Sequence, residues 1–113
     1  VVTPEYNSNS QMIYRDNLIP MINGKHVVLL MASVTTGKTI NKGMECIQYY
    51  GGNLQGIAAI FSAIEEENGA HINSVFHTSD IPDYRTYDYR ECPYCKQGKK
   101  IDALVNGYGY SKI

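Results

Sequence analysis

Apolar and polar residues follow one another along the middle of this chain in an order that predicts strand, helix, strand and strand. Residues 25–31 contain an apolar run that predicts a strand, and residues 54–64 begin as a near-continuous apolar run, as expected of a strand buried on both faces. Residues 39–50 carry apolar side chains every three to four positions, which predicts a helix that ends at Gly51. A third strand is predicted over residues 72–78. This order indicates an α/β fold with a parallel sheet, in which ligands bind at the carboxyl ends of the strands.

The segments on either side of this centre are shorter and less regular. Their predicted structures are a strand end at 1–3, a polar mobile loop at 4–10, a short strand at 12–14, a brief turn at 17–21, a solvated acidic turn at 65–69, a turn-like knuckle at 92–100 and an irregular glycine-rich stretch at 106–110. Residues 83–90 alternate aromatic and charged side chains, which fits either an edge strand or an extended arm. Because the chain opens on residues that resemble the end of a buried strand, we expect the domain to be incomplete at its N-terminus.

Composition narrows the class of protein without identifying it. The 113 residues are 43% hydrophobic and 19% charged, which is ordinary for one globular domain. A net charge of −1 gives no electrostatic reason to expect nucleic acid or an anionic membrane as a partner. No apolar run approaches the roughly 20 residues that cross a bilayer. The cysteines number three, which does not suggest a disulfide framework, so we expect a protein of the reducing cytoplasm.

Residues 32–39 (ASVTTGKT) join the first long strand to the helix and carry the most specific chemistry of the chain. A strand that delivers small residues onto a helix N-terminus turns several backbone N–H groups toward one point. Thr35, Thr36 and Thr39 add hydroxyl donors, and Gly37 lets the backbone approach a ligand closely. The sequence therefore predicts a phosphate-binding loop.

Two families of phosphate-binding loop fit this stretch. Residues 32–39 match a loose Walker A loop, in which Ala32 stands where the strict form has Gly. The same stretch resembles the 5-phosphoribosyl-1-pyrophosphate (PRPP) loop of type I phosphoribosyltransferases, and residues 51–59 (GGNLQGIAA) resemble the turn and strand that follow in that family. A P-loop nucleotidase needs an acid at the end of its second strand, and residues 56–63 end in none. The transferase is therefore the preferred interpretation.

The resemblance, which is closest to the orotate phosphoribosyltransferases, implies a site and a reaction. It implies that Thr35, Thr36, Gly37, Lys38 and Thr39 bind the 5′-phosphate of PRPP or of a related ligand, while Ser33 and Val34 shape the loop. It implies transfer of a phosphoribosyl group between pyrophosphate and a nitrogenous base, with Mg²⁺ as the cofactor. It also implies a Rossmann-like fold, of which residues 1–113 are the C-terminal portion. A homodimer is expected too, and the tyrosines of residues 84–94 offer a surface for it.

The chain departs from that family at the residues that would perform the chemistry. Met31 and Ala32 stand where the family has two acidic residues, which hold the ribose hydroxyls and help to organise Mg²⁺. Ser62 and Ala63 replace an Asp-Arg pair of the orotate enzymes, and Glu5 lies where lysines would hold pyrophosphate. Three functions therefore stay open: an active transferase, a related module that binds or senses a phosphorylated ligand, and a P-loop nucleotidase.

Cys92 and Cys95, in the sequence Cys-Pro-Tyr-Cys, allow three interpretations. This sequence matches the active site of glutaredoxins, in which the first cysteine is a stabilised thiolate. It also resembles a zinc knuckle, which needs four ligands, so that His71, His77, Cys46 or a second chain would have to complete the site. Two free thiols in a turn are the simplest alternative. His77 is in addition a candidate ligand contact, because it lies toward the carboxyl end of the third predicted strand.

Overall fold

A computed structural model describes all 113 residues of the chain. The elements in chain order are β1 (Glu5–Tyr6), β2 (Met12–Ile13), a 3₁₀ helix (Asp16–Met21), β3 (His26–Val34), α1 (Lys38–Tyr49), β4 (Asn53–Ser62), β5 (Glu66–Glu67), β6 (Ala70–His77), a 3₁₀ turn (Thr78–Asp80), α2 (Pro93–Lys96), β7 (Ala103–Asn106) and β8 (Gly109–Lys112). The fold is thus mixed α/β, with one long helix among its strands.

The central sheet has four strands in the order β3-β4-β6-β5. β3 pairs with β4 and β4 pairs with β6 in parallel, while the short β5 pairs with β6 in the antiparallel sense. Val34 lies opposite Ser62, and Ser62 lies opposite His77, so the three parallel strands end at one edge of the sheet. The predicted parallel arrangement is confirmed for these strands, and the antiparallel β5 makes the sheet a mixed one.

The hydrophobic core lies between this sheet and α1. One cluster joins buried residues of β3, α1, β4 and β6, namely Val34, Ile40, Ile57, Ala59 and Ile72. A second cluster packs the start of the chain against the other end of the helix, and its buried members are Tyr14, Ile22 and Cys46. α1 contributes a side chain to each cluster, so its docking holds both parts of the core together.

The middle of the opposite face of the sheet is open to solvent. Side chains alternate between the two faces of a strand, so neighbours at odd separations from the core-facing Leu29, Ala59 and Ile72 point away from α1. Four of these neighbours remain largely accessible, with exposed fractions of 53% for Val28, 65% for Leu30, 59% for Ile60 and 69% for Val75. Parallel sheets are normally covered on both faces, and this one is covered on one.

The structure corrects four of the predicted elements outside the core. Residues 1–3 form no strand, since no neighbouring strand pairs with them. The loop predicted at 4–10 contains β1, which pairs with β2 across a turn in which the Asn7 side chain accepts hydrogen bonds from the N–H groups of Asn9 and Gln11. The stretch at 106–110 is the tip of the β7–β8 hairpin. Residues 65–69 are not merely a solvated turn, because they include β5.

The remaining outer segments agree with the sequence or decide between its alternatives. Residues 83–90 form no strand, which leaves the extended arm of the two alternatives. Two tyrosines of this region pack edge-on against the chain itself, Tyr84 on Phe61 and Tyr87 on Tyr94. The expected homodimer through this arm stays a prediction. No helix of the structure has both the length and the apolar character that a bilayer-crossing helix requires.

Candidate phosphate-binding site

The turn between β3 and α1 is shorter than the sequence predicted. Ser33 and Val34 were expected to shape the loop, but they are the last two residues of β3, because β4 is long enough to pair with them through Phe61 and Ser62. The turn itself is Thr35-Thr36-Gly37. Gly37 occupies the cap position of α1 with φ 84° and ψ −3°, a left-handed conformation that glycine adopts without strain.

The backbone of this turn keeps its hydrogen-bond donors free. The first backbone hydrogen bond of the helix runs from the Asn41 N–H to the Gly37 carbonyl at 3.0 Å. None of the six preceding N–H groups, from Thr35 to Ile40, donates to another backbone group, and no side chain caps the helix. Unpaired N–H groups at a helix N-terminus, together with the helix dipole, attract anions.

The residues that carry these donors line a small cavity at the carboxyl edge of the sheet. Its volume is about 40 Å³, and its lining residues are Met31, Ser33, Val34, Thr35, Thr36, Gly37, Lys38, Thr39 and Ile40. A single water molecule needs about 10–15 Å³ of such space, so the cavity has room for a group of several atoms and not for a whole nucleotide. All seven predicted phosphate-loop and loop-shaping residues are brought together around it.

Lys38 forms an ion pair with an acidic residue of the extended arm, residues 83–90. Its ammonium lies 3.5 Å from the Asp88 carboxylate, and the two side chains are 76% and 40% exposed. An ion pair this open to solvent contributes about 0–1 kcal/mol, so it orients Lys38 only weakly. The ammonium therefore remains available to an anion in the cavity.

Glu67 lies beside the turn and was not predicted to be there. Its carboxylate accepts a hydrogen bond of 2.7 Å from the Asn41 side chain, in the first turn of α1, and Asn68 donates to the same amide at 3.0 Å. A Cβ built on Gly37 would lie 2.5 Å from a Glu67 carboxylate oxygen, which shows how closely the two residues approach. Glu67 does not line the cavity, so its negative charge lies beside the turn but outside the cavity.

The places of the family's acidic pair contain no acid, and the structure brings no other carboxylate into the cavity. The Met31 side chain packs against the first core cluster, and Ala32 is exposed. No group of three or more His, Cys, Asp or Glu side chains could hold a metal ion. The residues present therefore do not fit a Mg²⁺ site built by this chain, and the same finding applies to zinc, because neither histidines nor Cys46 join Cys92 and Cys95.

His77 and Ser62 lie at the same sheet edge as the turn but are engaged locally. The Ser62 hydroxyl is buried and donates to the Ile64 carbonyl at 2.6 Å. The His77 ring is exposed, with its Nδ1 3.1 Å from the Ser74 hydroxyl. Neither residue lines the cavity, so the candidate ligand contact of His77 is not present in this structure.

A second and larger cleft lies apart from this site. Its volume is about 540 Å³, and it separates the β1–β2 hairpin from α1, with Lys42, Glu45 and Tyr49 among its lining residues. It shares no residue with the cavity at the turn. Its charged side chains are of opposite sign, and it contains none of the free helix N–H groups, so the smaller cavity is the better candidate for binding a phosphate.

Sequence reasoning missed Glu67 because the acidic run Glu65–Glu67 looked like a solvated surface. The signal that could have found it is the pair Asn68-Gly69, since this dipeptide favours a tight hairpin turn. A hairpin at that position folds Glu67 back along β6 and toward α1.

No protein-family model matches this chain.

Proposed function

We propose that this chain is a phosphoribosyltransferase-like protein that binds the 5′-phosphate of PRPP or of a ribose 5-phosphate ligand at the β3–α1 turn. The observation that carries the proposal is the run of unpaired backbone N–H groups from Thr35 to Ile40. A phosphate monoester carries up to two negative charges and three acceptor oxygens, which suit such a set of donors. The hydroxyls of Thr35, Thr36 and Thr39 and the ammonium of Lys38 add donors to the same cavity.

The chemistry expected of these residues is binding and orientation. The turn would fix the phosphate end of the ligand, so that the ribose and its reactive carbon extend toward the carboxyl edges of β4 and β6. In an active transferase, a nitrogenous base would displace pyrophosphate at that carbon. No residue here is assigned as a general base.

A second candidate function is a module that binds the phosphorylated ribose without transferring it. Met31 and Ala32 favour this alternative, because neither side chain can hold the ribose hydroxyls or stabilise positive charge that develops on the ribose. The P-loop nucleotidase is less well supported, since Ser62, and not an acid, ends β4.

Calorimetric titration with ribose 5-phosphate, PRPP and unphosphorylated ribose tests the binding proposal. We expect both phosphorylated ligands to bind and ribose not to bind. Thr36 is exposed and lines the cavity, so Thr36→Glu places a negative charge there without disturbing the core. The two like charges about 4 Å apart repel by several kcal/mol at an effective dielectric constant near 20, so affinity should fall at least tenfold.

Thr36→Gln is the matched control, because it adds similar bulk without charge. Equal losses in both variants would contradict an anion site at this cavity, and so would binding of ribose as tight as that of its 5-phosphate. Release of pyrophosphate from PRPP with orotate or another base, measured with and without Mg²⁺, separates the transferase from the binding module. ATP hydrolysis that disappears in Lys38→Ala would instead support the nucleotidase.

A further inference from the structure

Cys92 and Cys95 lie on one tight, accessible turn. Cys92 immediately precedes α2 and Cys95 is its third residue, while the Lys96 N–H donates to the Cys92 carbonyl at 3.1 Å and closes the turn. Both thiols are free; Cys92 is half-buried and Cys95 is exposed. Residues three positions apart on a helical turn face the same side, so the two sulfur atoms are neighbours.

The surroundings make the two thiols unequal. The nearby backbone N–H of Cys95 lowers the pKa of Cys92 below its ordinary value of 9.0, with smaller contributions in the same direction from the Cys95 side chain and the Tyr94 N–H. The same contact between the side chains raises the pKa of Cys95. α2 is too short to add a helix dipole, so this asymmetry comes from the polar groups nearest to each sulfur. Cys92 is thus the nucleophile of the pair, and Cys95 keeps its proton longer.

The rest of the turn suits reversible chemistry better than a permanent crosslink. Cβ atoms three residues apart on a helix are about 5–6 Å from each other, and a disulfide needs about 3.5–4.5 Å, so the turn must tighten to form one. Gly98, with φ +71°, ends the turn in a left-handed conformation that suits glycine. A disulfide that is strained and exposed is readily reduced again.

Basic residues outnumber acidic ones in the sequence on either side of the pair, where Arg90, Lys96, Lys99 and Lys100 stand against Glu91 and Asp102. Lys96, Lys99 and Lys100 follow within five residues of Cys95 and are exposed, and the Lys99 ammonium lies 5.3 Å from the centre of the Tyr94 ring. These charges favour an anionic reaction partner over a cationic one. Because no third metal-ligating side chain joins the two cysteines, a single chain cannot close a tetrahedral zinc site here.

We propose that Cys92 and Cys95 form a dithiol–disulfide pair that exchanges with an anionic small-molecule disulfide, independently of the phosphate site. The Cys92 thiolate attacks one sulfur of the external disulfide, the external S–S bond breaks, and the first thiol departs with a proton from solvent. The Cys95 thiol then loses its proton and attacks the Cys92 sulfur of the mixed disulfide, which releases the second thiol. The two cysteines are oxidised by two electrons, and the external disulfide is reduced to two thiols.

The test is exchange of the full chain with oxidised glutathione, followed by mass spectrometry after acid quenching. Cys46 is buried, so Cys46→Ala provides a background with only the two relevant thiols. In that background we expect a product lighter by two hydrogens, with the Cys92–Cys95 crosslink confirmed by peptide mapping. Cys95→Ser should accumulate a mixed disulfide of glutathione on Cys92. Cys92→Ser should react at least tenfold more slowly at neutral pH, because it lacks the thiol whose pKa is lowered.

Three results would overturn the proposal. The first is equal exchange rates of the two serine variants, which would mean that neither thiol is activated. The second is accumulation of doubly glutathionylated protein without an internal disulfide. The third is co-purification of one zinc ion per two chains, with loss of the metal in either serine variant, which would make the turn half of a shared metal site. Circular dichroism of each variant checks that the fold is retained.

Discussion

Replacement of Gly37 by alanine tests the geometry of the turn that carries the candidate site. Gly37 has φ 84°, where a side chain strains the backbone, and it is buried against Glu67. An added Cβ would lie 2.5 Å from one Glu67 carboxylate oxygen and 3.1 Å from the Ile64 side chain. Both the backbone and its neighbours must therefore change to accept even a methyl group.

The expected loss of stability in Gly37→Ala has two parts, one from the backbone conformation and one from the close neighbours. Alanine variants of other glycines can measure these parts separately. A left-handed conformation costs a non-glycine residue about 1–2 kcal/mol. The carboxylate of Glu67 can swing away, but it then gives up its hydrogen bond from Asn41, a loss of about 1 kcal/mol for a partly exposed pair. We therefore expect Gly37→Ala to lower the free energy of unfolding by about 2–3 kcal/mol, which is large against the 5–15 kcal/mol of a typical domain.

Urea denaturation followed by circular dichroism measures this change, and two matched variants divide it. Gly24 has φ +69° and nothing within 4 Å of an added Cβ, so Gly24→Ala should report the backbone cost alone. Gly56 has neither a positive φ nor a close neighbour, so Gly56→Ala should change stability little. In a Glu67→Ala background, the cost of Gly37→Ala should fall toward that of Gly24→Ala. Equal stabilities of Gly37→Ala and Gly56→Ala would refute the described turn.

Three further predictions concern the stability of the core, the dependence of stability on pH, and the effect of the Glu67 charge on ligand binding. Ile57→Ala should lower the free energy of unfolding, measured by urea denaturation, by about 2–5 kcal/mol, because Ile57 is fully buried. Ile60→Ala on the open face should lower it by under about 0.5 kcal/mol. Similar values for the two variants would contradict the one-sided core. Burial raises the pKa of Cys46 above 9.0, so the stability contributed by its protonated thiol is complete below pH 9.0 and is lost as the pH rises through the folded-state pKa. Cys46→Ala should flatten this alkaline decline in urea midpoints measured across that range, and an unchanged slope would show that Cys46 does not titrate in the fold. Glu67→Gln keeps an acceptor for Asn41 and removes a negative charge beside the turn, so ribose 5-phosphate should bind more tightly, most clearly at low salt; weaker binding would mean that Glu67 supports the ligand.

The central βαβ unit could be predicted from the sequence because its signals are local and strong. The apolar runs, the helical spacing of Ile40, Met44 and Ile47, and the Gly51 stop each concern neighbouring residues. The observed helix, Lys38–Tyr49, is displaced by one residue from the predicted range. The extension of β3 to Val34 could not be read in the same way, since it depends on how far β4 runs alongside it.

The sequence predicted which residues supply hydrogen-bond donors to the candidate site. It did not predict which charged residues lie beside them. Threonines and a glycine between a strand and a helix indicate a phosphate loop by composition alone. The approach of Glu67 depends on a hairpin more than 25 positions away along the chain, and the pairing of Lys38 with Asp88 depends on an arm without regular structure. Contacts of this kind are set by tertiary packing, which residue patterns do not encode locally.

The position of α1 between the two core clusters has a consequence for how the protein opens. Because the helix packs against the sheet in one cluster and against the start of the chain in the other, its undocking would expose Ile57 and Ile72 and separate Tyr14 from Cys46 in the same event. Amide protons in the middle of α1 and in the middle of β4 should then exchange with deuterium through one shared opening, with equal free energies. Hydrogen-exchange protection of α1 and of the central sheet would then be gained and lost together, and neither core cluster would stay folded without the other.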